Sequence, residues 1–287
     1  MLIHFNQDFV ASKYAFDTTR KSDRIALSLI NDPIENADLA DPGSCDAATE
    51  STVRAIHESR YVDAVRTGTP RGLAERQGFD WDPGIFTMAL AHSHGLCTAT
   101  RAVIAEGGTA GSLSSGLHHA SHRMGAGYCT FNGLAAAATT AFDSGAERVL
   151  VLDFDAHCGG GTFDIMSDTA GFVQVDVSTS LFDTWEPTGE HFLRSAGSDN
   201  YVSRIGEALD HARSLGTFDL VIYNAGMDPI NTGVSVSDVR TREKLVREFV
   251  GDTPAVFALA GGYTWGNHDM DELVSWHRMT IREWAQA

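Results

Sequence analysis

The stretch that decides the fold is Arg148-Val-Leu-Val-Leu-Asp-Phe-Asp-Ala-His157, in which a short apolar run passes directly into alternating polar residues. Two more apolar runs, Leu220–Tyr223 and Ala255–Ala260, are likewise followed by polar side chains, Asp228 and Tyr263 respectively. Short buried strands that alternate with helical segments are typical of a parallel sheet covered on both faces. Ligands bind beyond the carboxyl ends of the strands in such sheets. The sequence therefore predicts an α/β fold with a central, mostly parallel sheet and a functional site at that edge.

The rest of the chain fits the same architecture. Gly171–Val177 is a fourth candidate strand, and the segments Asn31–Asp46 and Thr67–Pro83 have the Asp, Pro and Gly content of loops. The predicted helices are Ala47–Val65, Gly84–Glu106, Leu134–Phe142, Asn200–Leu215 and Asp238–Val250. No internal repeat or low-complexity tract interrupts the chain, so we predict a single domain over residues 1–287.

The charge balance restricts the partners. The 287 residues include 21 Lys and Arg and 38 Asp and Glu, a formal net charge of −17. A surface this acidic repels phosphate backbones, which argues against a nucleic-acid partner. It attracts cations such as polyamines, lysine-rich peptides or metal ions. The alternative is that the acidity only keeps the protein soluble.

Cysteine usage and hydropathy indicate the compartment. The four cysteines form no CxxC pair, which in a chain of this length favours a reducing environment over a disulfide scaffold. The first residues lack the basic stretch and apolar core of a signal peptide. No apolar run approaches the roughly 18 residues that a membrane span needs. We expect a cytoplasmic protein without a membrane partner; whether it forms homo-oligomers stays open.

A candidate metal site follows the first strand. Asp153, Asp155 and His157 are spaced by two, so all three point to one face if the strand stays extended. Asp155 and His157 could then chelate one metal, with Asp228 as the third ligand. Two carboxylates and one imidazole leave a coordination position open, as in a catalytic zinc site. Asp153 would lie behind these ligands or help to bind a monovalent cation. The alternative is a polar strand end without metal.

Two further features are candidates for proton transfer and carbonyl polarisation. The adjacent pair His118-His119 lies in the loop Gly111–Gly127, and paired imidazoles suit proton transfer near neutral pH. Tyr263 follows Gly261-Gly262, whose backbone freedom could direct the phenol into a cleft, where it could stabilise an oxyanion. Exposed loop histidines and a packed tyrosine are the alternatives.

Together, these motifs resemble the histone deacetylase family, which has the arginase-like α/β fold. The matching stretches, in chain order, are Gly116-Leu-His-His-Ala120, Gly127-Tyr-Cys-Thr-Phe-Asn132, Asp153-Phe-Asp-Ala-His-Cys-Gly-Gly-Gly-Thr162, Gly226-Met-Asp-Pro229 and Gly261-Gly-Tyr263. Weaker similarity occurs in Thr19–Arg24 and Phe79–Phe86. The resemblance spans nearly the whole chain.

The resemblance implies a hydrolase of linear amide bonds, a deacetylase that removes an acetyl or other acyl group from acylated lysine or a related amine. It implies Zn²⁺ as the metal, with Fe²⁺ able to substitute, and K⁺ as a candidate monovalent cation. The residues that it assigns are the ligands Asp155, His157 and Asp228, the proton-handling pair His118 and His119 with His119 as the base, and Tyr263 on the scissile carbonyl.

The same resemblance suggests a substrate channel. Its candidate residues are Tyr128 with Gly127 on one wall, Trp185 and Glu186 on the other, Asp80 at the rim and Gly262 near the tyrosine. A carboxylate at Glu186 could favour a cationic substrate such as an acetylated polyamine. Asp176 matches the place of a monovalent cation site.

Two departures from the family pattern bear on activity. Cys158 stands where the family usually has a second histidine, and Gly160 where it has an Asp or Asn that bonds the second histidine of the pair. We therefore expect His119 to be oriented differently or to be less basic, whereas Asp153 can still serve His118. The alternatives are an acetylpolyamine amidohydrolase and a catalytically silent module that binds acylated ligands. A binuclear manganese hydrolase ranks last, since the sequence offers ligands for one metal.

Overall fold

One parallel sheet organises the molecule. The computed structural model describes residues 1–13, 17–115 and 117–286. The sheet strands are β1 Leu2–His4, β2 Asp38–Ala40, β3 Thr109–Ser112, β4 Val149–Asp153, β5 Phe172–Ser178, β6 Phe192–Ser195, β7 Leu220–Asn224 and β8 Ala255–Ala258. They lie in the order β2-β1-β3-β8-β7-β4-β5-β6, and every neighbouring pair is parallel. The parallel sheet predicted from the apolar runs is confirmed.

Helices connect the strands. Their bounds are α1 Asp17–Asn31, α2 Ala47–Ile56, α3 Ser59–Thr67, α4 Arg71–Ala74, α5 Gly84–Glu106, α6 Gly133–Asp143, α7 Gly160–Met166, α8 Tyr201–Ser214, α9 Val236–Val250 and α10 Met270–Trp284. The prediction for Gly84–Glu106 is confirmed at both ends. The single helix predicted over Ala47–Val65 is wrong, because the chain is extended at His57. The His57 ring bonds to Ser121 O and to the Asn132 amide, and these tertiary bonds end α2.

Both faces of the sheet are buried. Along β4, Val149 and Val151 pack into one apolar cluster, whereas Leu150 and Leu152 pack into another on the opposite face. The first cluster includes side chains of α2, α3, α5 and α6, and the second includes side chains of α1, α8, α9 and α10. This burial explains why the strands are continuous apolar runs. Among the described helices, none combines the length and the apolar character that a membrane crossing requires.

The candidate residues gather at one edge of the sheet. Five consecutive strands of the sheet are β3, β8, β7, β4 and β5. The predicted site residues lie at the carboxyl ends of these strands or in the loops that follow them. One premise of the prediction is wrong: β4 ends at Asp153, and residues 154–157 bend away instead of continuing the strand. The His157 amide donates to Asp155 Oδ1 at 3.0 Å, a local turn that an Asp side chain favours over extension.

Candidate active site

The three predicted metal ligands converge after β4 and β7. His157 Nδ1 lies 3.1 Å from Asp155 Oδ1 and 3.0 Å from Asp228 Oδ2. One ligand atom from each residue lies within 4.8 Å of the other two. Both carboxylates are only 1% exposed, whereas His157 is partly open to solvent. The structure therefore brings together the residues that the spacing and the resemblance both indicate.

These residues fit a divalent metal. Gly226 and Gly261 flank the carboxylates, and a Cβ at either position would lie 2.3 Å from Asp155 Oδ2. The two glycines thus keep a space that a larger residue would fill. Burial and the charge of Asp155 raise the pKa of Asp228, so two buried carboxylates this close need a compensating cation. Two carboxylates and an imidazole are a donor set that Zn²⁺ accepts.

A buried arginine behind the ligands fixes their loops. Arg242 Nη1 donates to Phe154 O at 2.9 Å and to Gly226 O at 2.6 Å, the carbonyls just before Asp155 and before Met227 and Asp228. Glu243 accepts from the same guanidinium, and both charged side chains are buried. No sequence pattern points to this pair, because α9 has the composition of an ordinary charged amphipathic helix. The pair ties two strand-end loops into one rigid unit.

The first histidine of the pair is supported by a buried carboxylate. His118 Nδ1 lies 2.8 Å from Asp153 Oδ2, and Asp153 Oδ1 accepts from the Asn224 side chain at 2.9 Å. Burial alone would lower the pKa of His118, but Asp153 and Asp155 raise it to about 10. The structure therefore contains the predicted contact between Asp153 and His118. Gly116, which opens the matching motif, lies outside the described residues.

The second histidine finds its carboxylate elsewhere than expected. His119 Nδ1 lies 2.9 Å from Asp183 Oδ2, so Gly160 does not deprive this histidine of a carboxylate partner. The expected change in its orientation or basicity stays a prediction. Burial, reinforced by the neighbouring His118, lowers the pKa of His119 to about 4. The two imidazole rings lie 3.9 Å apart. At pH 7 these shifts favour a protonated His118 beside a neutral His119.

The loop after β5 differs from the predicted channel wall. Trp185 is not on the wall: its ring stacks on Phe163 at 4.1 Å, and its Nε1 donates to Asp176 Oδ2 at 2.9 Å. Phe182 lies beside the histidines instead. Its ring centroid is 4.9 Å from that of His119 and 5.9 Å from that of His157. The predicted register was wrong because this loop has no periodicity to align it.

Asp176 is buried behind the site. Its Oδ2 accepts from the Gly159 amide at 2.9 Å, and Gln174 Nε2 donates to both carboxylate oxygens. Burial and the nearby Asp153 raise its pKa. The candidate monovalent cation site at Asp153 and Asp176 stays a prediction.

Tyr263 is buried and lines a small cavity together with the two histidines. A cavity of about 20 Å³ is lined by His118, His119, Asp155 and Tyr263, among others. Burial and the charges of Asp228 and Asp155 raise the pKa of the phenol, so it keeps its proton. Its ring stacks on the exposed Trp265 at 4.1 Å. The structure thus places a hydroxyl donor beside the two histidines.

The remaining channel candidates lie around this cavity or at the surface. Gly127 lines the cavity with φ +51°, and a Cβ there would lie 2.4 Å from His119 Cδ2. Tyr128 is half-buried and packs on Phe79, with ring centroids 5.4 Å apart. A Cβ at Gly262 would lie 2.6 Å from Leu273. Asp80 and Glu186 are exposed.

Lys21 is a further residue that the sequence analysis missed. Its Nζ donates to Gly261 O at 2.6 Å and to Ser115 Oγ at 3.0 Å, and the side chain is fully buried. Burial lowers its pKa to about 7. The weak similarity in Thr19–Arg24 is the only signal that could have pointed to it. The bond to Gly261 fixes the backbone that leads to Tyr263.

Comparison with known proteins shows which family this chain resembles. The family model described as histone deacetylase domain matches residues 18–277. A probable deacetylase of Archaeoglobus fulgidus is 31% identical over 243 residues, 76% of this chain and 67% of the relative. Histone deacetylase 2 of Arabidopsis thaliana is 26% identical over 174 residues, 55% of this chain but only 45% of the relative.

A solved structure has the same fold. The acetylpolyamine aminohydrolase of Burkholderia pseudomallei superposes with a TM-score of 0.80 over 100% of this chain and 99% of that one, at 16% identity. The predicted deacetylase-like, arginase-like fold is confirmed. With a family model that matches most of its length, this chain belongs to the histone deacetylase family.

Proposed function

We propose that this chain is a metal-dependent deacylase that hydrolyses the amide of an acetylated lysine or a related acylated amine. The observation that carries the proposal is a cluster of three candidate metal ligands that adjoins a cavity lined by two histidines, one protonated and one neutral, and a phenol. Each group has a role in amide hydrolysis, and together they supply a base, an acid and an oxyanion donor.

The metal would be held by Asp155, His157 and Asp228. When bound, Zn²⁺ or Fe²⁺ supplies Lewis acidity for the acyl carbonyl and lowers the pKa of a water molecule. The family resemblance and the donor set support this assignment. The fourth coordination position, which the three protein ligands would leave open, gives room for substrate.

The histidines divide the proton transfers. His119 is neutral at pH 7, because its pKa is about 4, and it accepts the proton of the attacking water. His118 is a cation beside Asp153, and it donates a proton to the leaving amine. The Tyr263 hydroxyl donates to the carbonyl oxygen as negative charge develops there. The collapse of the tetrahedral species then releases the amine and the carboxylic acid.

Acetate release tests the proposal. The zinc-loaded wild type and the zinc-loaded Tyr263→Phe variant are each assayed with an acetyl-lysine peptide and with N-acetylputrescine. We expect turnover by the wild type and a decrease in kcat of about 10²- to 10³-fold in the variant, because one oxyanion donor is lost. Equal turnover in both proteins contradicts the role of Tyr263.

The two substrates separate the alternatives. A higher kcat/KM for N-acetylputrescine would identify a polyamine amidohydrolase, and the exposed carboxylate of Glu186 is the candidate for reading its second charge. In that case Glu186→Leu should raise KM for the polyamine alone. Stoichiometric zinc without turnover of either substrate would contradict deacetylation and leave a binding module or another acyl group.

A further inference from the structure

The two departures from the family pattern contact the same loop. Cys158 N donates to Phe182 O at 3.1 Å, and its Sγ lies 3.5 Å from Ser180 O. Gly160 packs directly against Asp183. The segments 158–161 and 180–183 are therefore one packed unit, and a change in either segment changes the space available to the other.

The carboxylate of Asp183 is fixed by two donors. Its Oδ2 accepts from His119 Nδ1 at 2.9 Å and from the Gly161 amide at 3.0 Å. Asp183 has φ +60°, a left-handed conformation that Asp tolerates better than most residues. Its side chain is 27% exposed. Because Nδ1 donates to Asp183, the lone pair of His119 resides on Nε2.

Gly160 admits this arrangement. A Cβ on residue 160 would lie 2.4 Å from Asp183 O and 2.6 Å from Asp183 Oδ1. An acidic side chain at residue 160 and the present position of Asp183 therefore exclude each other. The absence of a side chain at Gly160 therefore makes room for the carboxylate of Asp183.

We propose that Asp183 is the positioning residue of His119, and that it supplies from the loop after β5 the carboxylate that the family pattern places at residue 160. Phe182, the neighbour of Asp183, packs against the His119 ring. One loop thus forms the wall of the site and sets the tautomer of its base. The kinetic consequence rests on the proposed deacylase function, whereas the tautomer does not.

The kinetic test compares two variants of Asp183. In Asp183→Ala we expect kcat to decrease about tenfold to hundredfold, as when the carboxylate partner of a site histidine is removed, with KM within about twofold. Asp183→Asn keeps an oxygen that both donors can reach, so its kcat should recover to within about fivefold of the wild type. Zinc stoichiometry should be unchanged in both. Asp168→Ala, an exposed aspartate on another loop, is the matched control.

The tautomer is measured without turnover. In protein labelled with ¹⁵N-histidine, and with the His119 signal assigned through His119→Gln, we expect His119 to be protonated on Nδ1 in the wild type. Asp183→Ala should lose that preference, and Asp183→Asn should keep it. A wild type that lacks the Nδ1-protonated form overturns the inference, whatever the activity.

Gly160→Ala tests the exclusion. The added Cβ should displace the loop, so that the Nδ1 preference of His119 is lost and kcat falls as in Asp183→Ala. Gly206→Ala is the matched control, because a Cβ there meets nothing within 4 Å in α8. If Gly160→Ala behaves like the wild type, the inference is wrong. If the wild type has the expected tautomer but no turnover, the deacylase proposal fails and the positioning of His119 stands.

Discussion

The floor and the mouth of the site are built differently. The floor consists of the strand-end carboxylates Asp153, Asp155 and Asp228, and the mouth consists of the loop residues Phe182, Asp183, Tyr263 and Trp265. All three floor carboxylates are buried, whereas Phe182 is 49% and Trp265 is 56% exposed. Asp153 ends β4 in register with Asn224 of β7, and Arg242 anchors the loops that carry Asp155 and Asp228, so the floor has little freedom to change. The mouth rests on loops, where a residue such as Asp183 can replace a side chain that is missing at Gly160, the first residue of α7.

The largest expected effect is at the floor. Asp155→Asn removes one charged ligand, and we expect zinc binding to weaken strongly and kcat/KM to fall about a thousandfold or more, because the Lewis acid contributes several kcal/mol. Removing this charge also removes its attraction to His118 and His157, which outweighs burial and lowers the pKa of Asp155 in the metal-free protein. The free energy of unfolding of the metal-free variant should therefore be lower than that of the metal-free wild type.

Zinc titration, kinetics and denaturant unfolding measure these three quantities. Asp168→Asn, at an exposed position, controls for the change of charge. Retention of both zinc and activity in Asp155→Asn would show that the floor is not the metal site. A metal-free variant as stable as the metal-free wild type would mean that the attraction of Asp155 to the two histidines does not contribute to stability.

The next effect compares the two histidine–carboxylate pairs. Asp153→Asn leaves His118 without its anionic partner and disturbs the bond from Asn224, so we expect kcat to fall about a hundredfold. Asp183→Asn should lower kcat only about fivefold, because His119 Nδ1 and the Gly161 amide both donate to the same oxygen of residue 183. Kinetics on the two variants side by side provide the measurement. Equal losses would remove the distinction between floor and mouth.

The floor could be predicted from the sequence for a physical reason. Buried parallel strands need continuous apolar residues, so β4, β7 and β8 stand out, and polar residues at their ends must meet at one edge. Asp155, His157 and Asp228 follow from that rule together with the motif resemblance. The bend after Asp153 did not matter, because the turn returns His157 to the same edge.

The mouth could not be predicted in the same way. The loop that carries Phe182 and Trp185 has no periodicity, so a shift of a few residues changes which aromatic ring faces the histidines. The sequence shows that Gly160 departs from the family pattern. Its compensation by Asp183 depends on a contact between Gly161 and Asp183, which are 22 positions apart in the chain. β1 and β6 are short and contain polar residues, so no continuous apolar run marks them in the sequence.

A smaller effect concerns the loop that carries the histidine pair. His57 is buried and uses both ring nitrogens, with Ser121 O and the Asn132 amide as partners. Burial lowers its pKa to about 4 from 6.5. The unfolded chain therefore binds the proton first as the pH falls below 6.5, and stability is lost down to about pH 4. Between pH 7 and pH 5 the loss attributable to His57 should be about 2 kcal/mol.

Denaturant unfolding at the two pH values measures this loss. The variant His57→Gln cannot take up the proton, so the difference between its two unfolding free energies should be smaller by that amount. An identical pH dependence in variant and wild type would mean that His57 does not contribute. His57 supports the loop of the histidine pair at Ser121, whereas Asp183 contacts His119 directly.

The smallest expected effect is at the outermost part of the mouth. Trp265 stacks on the Tyr263 ring with an interplanar angle of 7°, and such aromatic pairs contribute about 0.5–1.5 kcal/mol. In Trp265→Ala we expect kcat/KM to fall about twofold to tenfold, because the phenol is less firmly oriented, with zinc binding unchanged. Trp265→Phe, which keeps a stacking ring, should retain most of the activity. A loss as large as that of Tyr263→Phe would place Trp265 in contact with the reacting groups, and the mouth would then be as constrained as the floor.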